Sequence, residues 1–150
     1  MNKKKGLFIS FEGPEASGKS SQILLLQKYL TKKKISFITT REPGGTKLAE
    51  SLRNLILKIK SDINIEEEIL MLMAARSHHI NNIIKPALDK GSLVISDRFA
   101  DSTFVYQGYV NNFGIQKTKS LHKNIYLKIR YLLLQLESLV EQNLLSLFVI

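Results

Sequence analysis

The pattern of apolar and polar positions predicts short buried strands separated by helices. Continuous apolar or β-branched runs of four to six residues are typical of buried strands, whereas apolar residues recurring every three or four positions are typical of helices. Pro86 and Gly91 interrupt the pattern and mark where the third predicted helix ends. The predicted strands are residues 7–11, 35–40 and 93–96, and the predicted helices are residues 20–30, 48–59 and 65–84.

Strands that alternate with helices predict an α/β fold. Right-handed crossovers then build a parallel sheet with helices on both faces. In such sheets ligands bind beyond the carboxyl ends of the strands. Polar residues follow each predicted strand, over residues 12–20, 41–46 and 97–107. We therefore expect these three segments to converge at one edge of the sheet.

Length and composition fit one ordinary globular domain, residues 1–150. The chain is 44% hydrophobic and 23% charged, and it has no cysteine. The sequence therefore excludes disulfides and thiolate metal sites, and it suits a reducing compartment, so we expect a cytoplasmic protein. No apolar run approaches the ~20 residues that a membrane span needs, and the apolar stretch after the basic start is too short for a signal peptide.

The basic balance of the chain has two interpretations. The formal net charge is +9, and much of the excess lies in the lysine triplets at residues 3–5 and 32–34. Such lysines either solubilise the surface or attract nucleic acid. No zinc-finger spacing or aromatic RNA-binding signature supports the second interpretation, and nucleotide phosphates explain a basic protein equally well. We expect no nucleic-acid partner.

One segment matches the phosphate-binding pattern G-x-x-x-x-G-K-[ST] without a mismatch. It follows a predicted strand and opens a predicted helix, which is the context that the motif requires. Glycines let the backbone wrap a phosphate, and the helix N-terminus adds partial positive charge. Lys19 can reach the β- and γ-phosphates, and Ser20 can ligate Mg²⁺. The segment comprises Gly13, Pro14, Glu15, Ala16, Ser17, Gly18, Lys19 and Ser20.

Arginines are rare in this lysine-rich chain, and four of the five lie at or near strand ends or on the helices that follow. Arginine presents a planar, bidentate fork to phosphate, so this placement suggests anion clamps; ordinary surface residues are the alternative. Asp97 ends the third strand, where a Walker-B-type carboxylate would hold Mg²⁺ or its waters. The four arginines are Arg41, Arg53, Arg76 and Arg98.

Four sequence blocks carry a family resemblance. Residues 11–20 (FEGPEASGKS), 41–46 (REPGGT), 74–76 (AAR) and 97–108 (DRFADSTFVYQG) resemble the successive signatures of bacterial thymidylate kinases, in order and with the usual spacing. The match runs over residues 1–117. It implies the P-loop nucleoside-monophosphate-kinase fold, ATP-dependent phosphorylation of dTMP to dTDP, Mg²⁺ as cofactor, and a homodimer.

The resemblance also implies a role for individual residues. The segment from Gly13 to Ser20 would hold the ATP phosphates, Ser20 and Asp97 the metal, and Lys19, Asp97 and Arg98 would be catalytic. Within the dTMP site, Arg53 and Arg98 would grip the phosphate. Arg76, Thr103 and Gln107 would address thymine, Glu15 would lie near the sugar and the metal, and Tyr106 would crowd the 2′ position. The acceptor phosphate is already largely ionised at neutral pH, so no general base is required. The implied dTMP residues are Glu15, Arg53, Leu72, Arg76, Arg98, Thr103, Tyr106 and Gln107.

The chain departs from the family pattern at two places. Leu72 stands where the family usually has a phenylalanine that stacks on thymine, so we expect weaker stacking. Residues 118–150 form a leucine-rich tail without a recognisable lid arginine, since Arg130 lies among apolar residues. Its apolar spacing predicts one amphipathic helix, with a strand-like end at residues 144–150. That helix would carry Ile129, Leu132, Leu133, Leu136, Val140 and Leu144 on one face.

The tail leaves two hypotheses about activity. Either the chain is a thymidylate kinase, or it is a catalytically impaired remnant, from a truncated or frameshifted gene, that binds nucleotide without the lid. Because an arginine finger can contribute roughly 10³–10⁵ in rate, we expect little kinase activity from the chain as it stands. A third hypothesis, independent of the tail, is a basic P-loop protein that acts on nucleic acid.

Overall fold

The structure, a computed structural model, describes residues 6–59 and 62–123 and the backbone of residues 131–135. Its centre is a parallel sheet in the order β2-β3-β1-β4. The prediction of a parallel α/β sheet is therefore confirmed. The strands are β1 (Phe8–Glu12), β2 (Phe37–Arg41), β3 (Leu93–Asp97) and β4 (Tyr131–Gln135).

Helices cover both faces of the sheet because the strand side chains alternate between them. Phe8 and Val94, which are paired in register, pack on one face against Ile84 and Leu88. Their neighbours Ile9 and Ile95 pack on the other face against the helix that follows the first strand. Every residue of β1 is buried. This continuous apolar run is what a parallel strand covered on both faces requires.

Six α-helices and two π-helical stretches connect or follow the strands within the described residues. Two helices begin with side-chain caps: Thr46 accepts from the backbone N–H of Ala49, and Asn64 forms a capping box with Glu67, which satisfies otherwise unpaired N–H groups. The α-helices are α1 (Lys19–Lys32), α2 (Lys47–Lys58), α3 (Ile65–His79), α4 (Lys85–Asp89), α5 (Ala100–Thr103) and α6 (Ile115–Lys123). The π-helical stretches are Ile80–Ile84 and Phe104–Val110.

Pro86 does not end the third helix as predicted. The π-helical stretch Ile80–Ile84 follows α3 directly, and α4 then continues through Pro86 to Asp89. A proline lacks the N–H for an i→i−4 bond and crowds the preceding turn. It is tolerated here because it lies in the first turn of α4, after a stretch with wider hydrogen-bond spacing.

The predicted tail helix is wrong where it crosses β4. The backbone of Tyr131–Gln135 forms a strand that pairs in parallel with β1, with Phe8 opposite Tyr131 and Glu12 opposite Gln135. Short apolar runs do not distinguish a buried strand from a buried helix. The remaining positions of the predicted helix and the strand-like end at residues 144–150 lie outside the described residues; they include Ile129, Arg130, Leu136, Val140 and Leu144.

The boundary after Lys117 falls inside helix α6. Thr118 and His122 are both buried, and Gly108 in the second π-helical stretch lies against Thr118. The first turns beyond Lys117 therefore belong to the packed domain.

None of the helices that the structure describes combines the length and apolar character that crossing a membrane requires.

Candidate active site

The phosphate-binding motif forms a cleft of about 460 Å³ between β1 and α1, here called the P-loop cleft. The loop reaches its shape through left-handed backbone at Ala16 (φ 61°) and Gly18 (φ 84°), a conformation that glycine adopts without steric cost. Gly18 then caps the N-terminus of α1. The cleft is lined by Glu15, Ala16, Ser17, Gly18, Lys19, Ser20, Ser21, Asp97 and Arg98.

Lys19 is held inside this loop although it carries a charge. Its side chain is buried, and Nζ donates to the carbonyl oxygens of Gly13 at 3.0 Å and Pro14 at 2.6 Å. A third contact joins Nζ to the hydroxyl of Ser17 at 3.4 Å. The ammonium is therefore kept at the loop by neutral acceptors, from which phosphate oxygens can draw it away.

The P-loop cleft offers oxygen ligands rather than a preformed metal site. Ser20 and Asp97 both line it, as the sequence predicted. Within residues 6–59 and 62–123, no three histidine, aspartate or glutamate side chains are grouped so that they could hold a metal ion. A hydroxyl and one carboxylate fit Mg²⁺, which keeps several waters and binds through one or two carboxylates together with substrate phosphates.

A second cleft of about 490 Å³, here called the arginine cleft, adjoins the P-loop cleft. Glu15 and Arg98 line both clefts. All eight residues implied for dTMP line the arginine cleft, together with residues that the sequence analysis did not single out. The eight are Glu15, Arg53, Leu72, Arg76, Arg98, Thr103, Tyr106 and Gln107; among the others are Glu42, Pro43, Glu68 and Ser102.

Two helical walls shape the arginine cleft. One wall is a face of α3 that carries Glu68, Leu72 and Arg76, which are four residues apart and so lie on one side of the helix. The facing wall carries Thr103 and Gln107. Two polar pairs join the walls: Arg76 Nη2 donates to Thr103 Oγ1 at 3.0 Å, and Gln107 Nε2 donates to Glu68 Oε1 at 2.8 Å.

Among the four arginines that lie in the described residues, Arg76 makes the most hydrogen bonds. It is buried, and its Nε donates to Glu42 Oε2 at 2.5 Å while Nη2 also donates to the carbonyl oxygen of Phe99 at 3.0 Å. Its Nη1 contacts Nε2 of His122. Since most of its N–H groups meet protein acceptors, Arg76 suits the neutral end of a ligand better than a phosphate.

His122 accepts from Arg76 because it is neutral. Burial, followed by the positive charge of Arg76, lowers the pKa of His122 to about 4. Its Nδ1 lies 2.8 Å from the carbonyl oxygen of Thr118, so Nδ1 carries the proton and Nε2 is left as the acceptor.

The other arginines divide between two places. Arg53 and Arg98 line the arginine cleft, where Arg53 reaches the carbonyl oxygen of Pro43 at 3.5 Å. Arg41 does not join them: its Nη2 donates to both carboxylate oxygens of Glu50, at 2.8 and 2.9 Å. Arg41 lines a third hollow beside β2, which shares Ser20 and Asp97 with the P-loop cleft. The anion-clamp role of Arg41 stays a prediction, because Glu50 pairs with only one of its terminal nitrogens.

Arg98 is positioned by a relay that begins at Glu12. Glu12 is buried at the end of β1, where it accepts from the backbone N–H of Phe99 at 2.6 Å and from the Ser102 hydroxyl at 2.7 Å. Arg98 Nη1 in turn donates to Ser102 Oγ at 3.2 Å. Burial raises the pKa of Glu12, and hydrogen bonds from Ser102, Ser10 and Phe99 oppose that rise. Arg98 itself adopts a left-handed backbone (φ 67°), a strain typical of functional sites.

Sequence reasoning missed three carboxylates and a histidine around this cleft. Glu68 repeats the spacing of Leu72 and Arg76 along α3, and Glu12 directly precedes the phosphate-binding motif, so local signals for both exist. Glu42 lies within the second signature block. His122 has no such signal, because its contact with Arg76 joins residues far apart in the chain.

Comparison with known proteins identifies the family. A family model described as thymidylate kinase matches residues 11–145, a range that extends beyond Lys117, where we expected the match to end. A thymidylate kinase of Gluconobacter oxydans is 54% identical over 105 residues, and one of Carboxydothermus hydrogenoformans is 48% identical over 116 residues. These alignments cover 70% and 77% of this chain but 49% and 57% of those relatives.

The fold agrees with that of a solved relative. The crystal structure of thymidylate kinase from Ehrlichia chaffeensis is similar with a TM-score of 0.80 at 38% identity, covering 88% of this chain and 75% of that one. The predicted P-loop kinase fold is thereby confirmed. The chain spans about half the length of the curated relatives it matches. Fold, motif order and sequence identity agree: the chain belongs to the thymidylate kinase family.

Proposed function

We propose that this site transfers the γ-phosphoryl group of ATP to the phosphate of dTMP. The observation that carries the proposal is the shared wall: Glu15 and Arg98 line both the P-loop cleft and the arginine cleft. A donor phosphate in the first cleft and an acceptor phosphate in the second would meet at this wall. Direct transfer needs only positioning and charge neutralisation.

On the donor side, Lys19 would exchange its carbonyl partners for the β- and γ-phosphates. Its contacts to Gly13 and Pro14 support this role, since they hold the ammonium at the loop without a permanent counter-charge. Backbone N–H groups of the loop and the N-terminus of α1 would add partial positive charge. Ser20 and Asp97 would hold Mg²⁺, which neutralises phosphate charge when it is bound with ATP.

On the acceptor side, Arg53 and Arg98 would grip the dTMP phosphate. Arg98 is oriented by Ser102 and lies 5.8 Å above the ring of Tyr106, so its guanidinium stays near the shared wall. Leu72 would cover the base between the two helical walls, and Tyr106 would crowd a 2′-hydroxyl. Since no proton has to be removed from the acceptor, no general base is assigned.

The test measures turnover and binding separately. ADP formation from ATP with dTMP is followed for the wild-type chain, and calorimetry measures the affinity for each nucleotide. Lys19→Ala should abolish turnover and weaken ATP binding about 100-fold while dTMP binding is kept, because removing charge-assisted contacts to phosphate costs a few kcal/mol. Lys28→Ala, which removes an exposed lysine from the same helix, is the matched control.

Three other outcomes decide between the remaining hypotheses. Binding of both nucleotides without turnover favours the impaired remnant. ATP turnover that is stimulated only by DNA or RNA favours the hypothesis of a P-loop protein that acts on nucleic acid. A wild-type chain that binds neither ATP nor dTMP overturns the proposal.

We also propose a cytoplasmic homodimer. Exposed leucines on the adjoining helices α2 and α3, among them Leu48, Leu55 and Leu70, are the side chains that such an interface would cover. Sedimentation equilibrium should give twice the chain mass; a monomer at all concentrations would contradict the dimer.

A further inference from the structure

We propose that Glu68 determines pyrimidine specificity by fixing the carboxamide of Gln107. The inference rests on the proposed function, because it concerns the base of the nucleotide that the arginine cleft would bind. Glu68 would not react or contact phosphate. It would act through Gln107 as a positioning residue.

The contact between the two side chains fixes which end of the amide faces the ligand. Gln107 Nε2 donates to Glu68 Oε1 at 2.8 Å across the cleft, and Glu68 is buried. A carboxylate only accepts hydrogen bonds, so it selects the NH₂ group of the amide over its oxygen. The Oε1 atom of Gln107 is then left as an acceptor for whatever lies between the walls.

The opposite end of the same cleft offers one donor: contacts with Glu42, His122, Phe99 and Thr103 engage four of the five N–H groups of Arg76, and one N–H on Nη1 remains for a ligand. Arg76 has no acceptor atom, and its bonds to Glu42 and Thr103 hold it beside Leu72. Leu72 lies between Glu68 and Arg76 on the face of α3, so a flat base above it has a donor group at one end and an acceptor at the other.

This donor and acceptor order matches one class of pyrimidine. Thymine and uracil present a carbonyl oxygen at position 4 and an N–H at position 3, which pair with an arginine donor and an amide oxygen. Cytosine presents the reverse, an amino group and a bare nitrogen. A site with buried polar groups rejects the reversed pattern because those groups are left unpaired. If Gln107 could rotate freely, its NH₂ group would meet cytosine N3 and much of this discrimination would be lost.

Glu68 is well placed to resist that rotation. It lies in the first turn of α3, whose start is fixed by the capping box of Asn64 and Glu67. A negative side chain is favoured at this end of a helix. The acceptor that orients Gln107 therefore sits on a rigid element.

The test compares binding of dTMP with 5-methyl-dCMP, two nucleotides that differ only at positions 3 and 4 of the base. In Glu68→Gln the side chain keeps its size but can donate as well as accept, so Gln107 can present either end. We expect the Kd for 5-methyl-dCMP divided by the Kd for dTMP to fall about 10-fold, because about one base-edge hydrogen bond of discrimination is lost. Glu66→Gln, an exposed change in the same helical turn, should leave the ratio unaltered.

A double-mutant cycle shows whether Glu68 acts through Gln107. Gln107→Leu should itself lower the ratio, and Glu68→Gln should have no further effect in that background. A ratio that Glu68→Gln leaves unchanged, or lowers equally with and without Gln107, overturns the inference.

A ligand-free measurement separates this inference from the proposed function. The side-chain amide signals of Gln107 in nitrogen-15 spectra should shift in Glu68→Gln but not in Glu66→Gln. Unmoved signals overturn the inference whether or not nucleotide binds. A wild-type chain that binds neither nucleotide contradicts the proposed function, and shifted signals then still support the fixed amide.

Discussion

Each buried charged side chain described near the arginine cleft has a partner that forms a hydrogen bond or an ion pair with it. Glu42 lies between Arg76 and His79, with 2.9 Å between its Oε1 and His79 Nδ1, and His79 Nε2 lies 2.6 Å from the Thr40 hydroxyl. Removing one member of such a network leaves another buried group unpaired, which costs more than the bond itself contributes. The network therefore holds α3 to β2 and α6 at defined distances.

His122 should make the stability of the fold depend on pH. Because its folded pKa of about 4 lies below the ordinary value, the unfolded chain binds more protons as the pH falls below about 6.5, and stability is lost toward pH 4. We expect a loss of about 2 kcal/mol between pH 7 and pH 5 from this group. The measurement is the unfolding free energy in urea at pH 7 and pH 5, for wild type and for His122→Gln. Groups that titrate alike in both proteins cancel when the two pH dependences are subtracted. An identical pH dependence in the two proteins would contradict the assignment.

Glu12 should be important for stability at the end of β1. Truncation in Glu12→Ala removes the carboxylate that accepts from the buried N–H of Phe99 and from two serine hydroxyls, at a cost of about 2 kcal/mol or more. Glu12→Gln keeps one acceptor oxygen and should cost less. Glu15→Ala, which removes an exposed carboxylate three residues away, should change the unfolding midpoint little. Equal midpoints for Glu12→Ala and Glu15→Ala would count against the role of Glu12.

At the scale of elements, helix α6 packs closely because Gly108 has no side chain. A Cβ at Gly108 would lie 3.1 Å from Thr118 Oγ1 and 3.4 Å from the Cα of Ile115. Gly108→Ala should therefore push α6 outward and destabilise the fold by about 1–2 kcal/mol. Adding Thr118→Ala removes the nearest crowded atom, Thr118 Oγ1, and should recover part of that loss. Unfolding of both variants in denaturant measures these changes in unfolding free energy. A Gly108→Ala variant more stable than wild type would show that α6 moves away from the added methyl group without loss of packing.

Local signals explain what the sequence could predict. The strands before Gly13 and Asp97 and the phosphate-binding motif depend on neighbours in the chain, and the structure has them where they were expected. The helix end predicted at Pro86 is wrong because the π-helical stretch Ile80–Ile84 lets the chain continue helically past a residue without an N–H. The spacing of apolar residues does not reveal such a stretch. The role of His122 and the pairing of Arg41 with Glu50 depend on tertiary packing. The roles assigned to the eight arginine-cleft residues stay predictions, although they lie together.

At the scale of the whole molecule, ligands should stabilise the fold through separate clefts. A nucleotide that binds only the folded chain raises the unfolding free energy by about 2.7 kcal/mol at 100 times its Kd. ATP and dTMP should each raise the melting temperature of the wild-type chain. In Lys19→Ala the ATP effect at the same concentration should become small, because ATP binding is weakened about 100-fold, while the dTMP effect remains. Loss of both effects would show that the clefts do not fold independently of Lys19.

The shared wall of Glu15 and Arg98 has a consequence for how two nucleotides are accommodated. Because the same two side chains line both clefts, a nucleotide bound in one cleft would change the electrostatic surroundings of the other. The total free energy of filling both does not depend on which is filled first. Whatever factor ATP imposes on the affinity for dTMP, dTMP must impose on the affinity for ATP. A single coupling constant, measurable from either direction, therefore describes the communication across this wall.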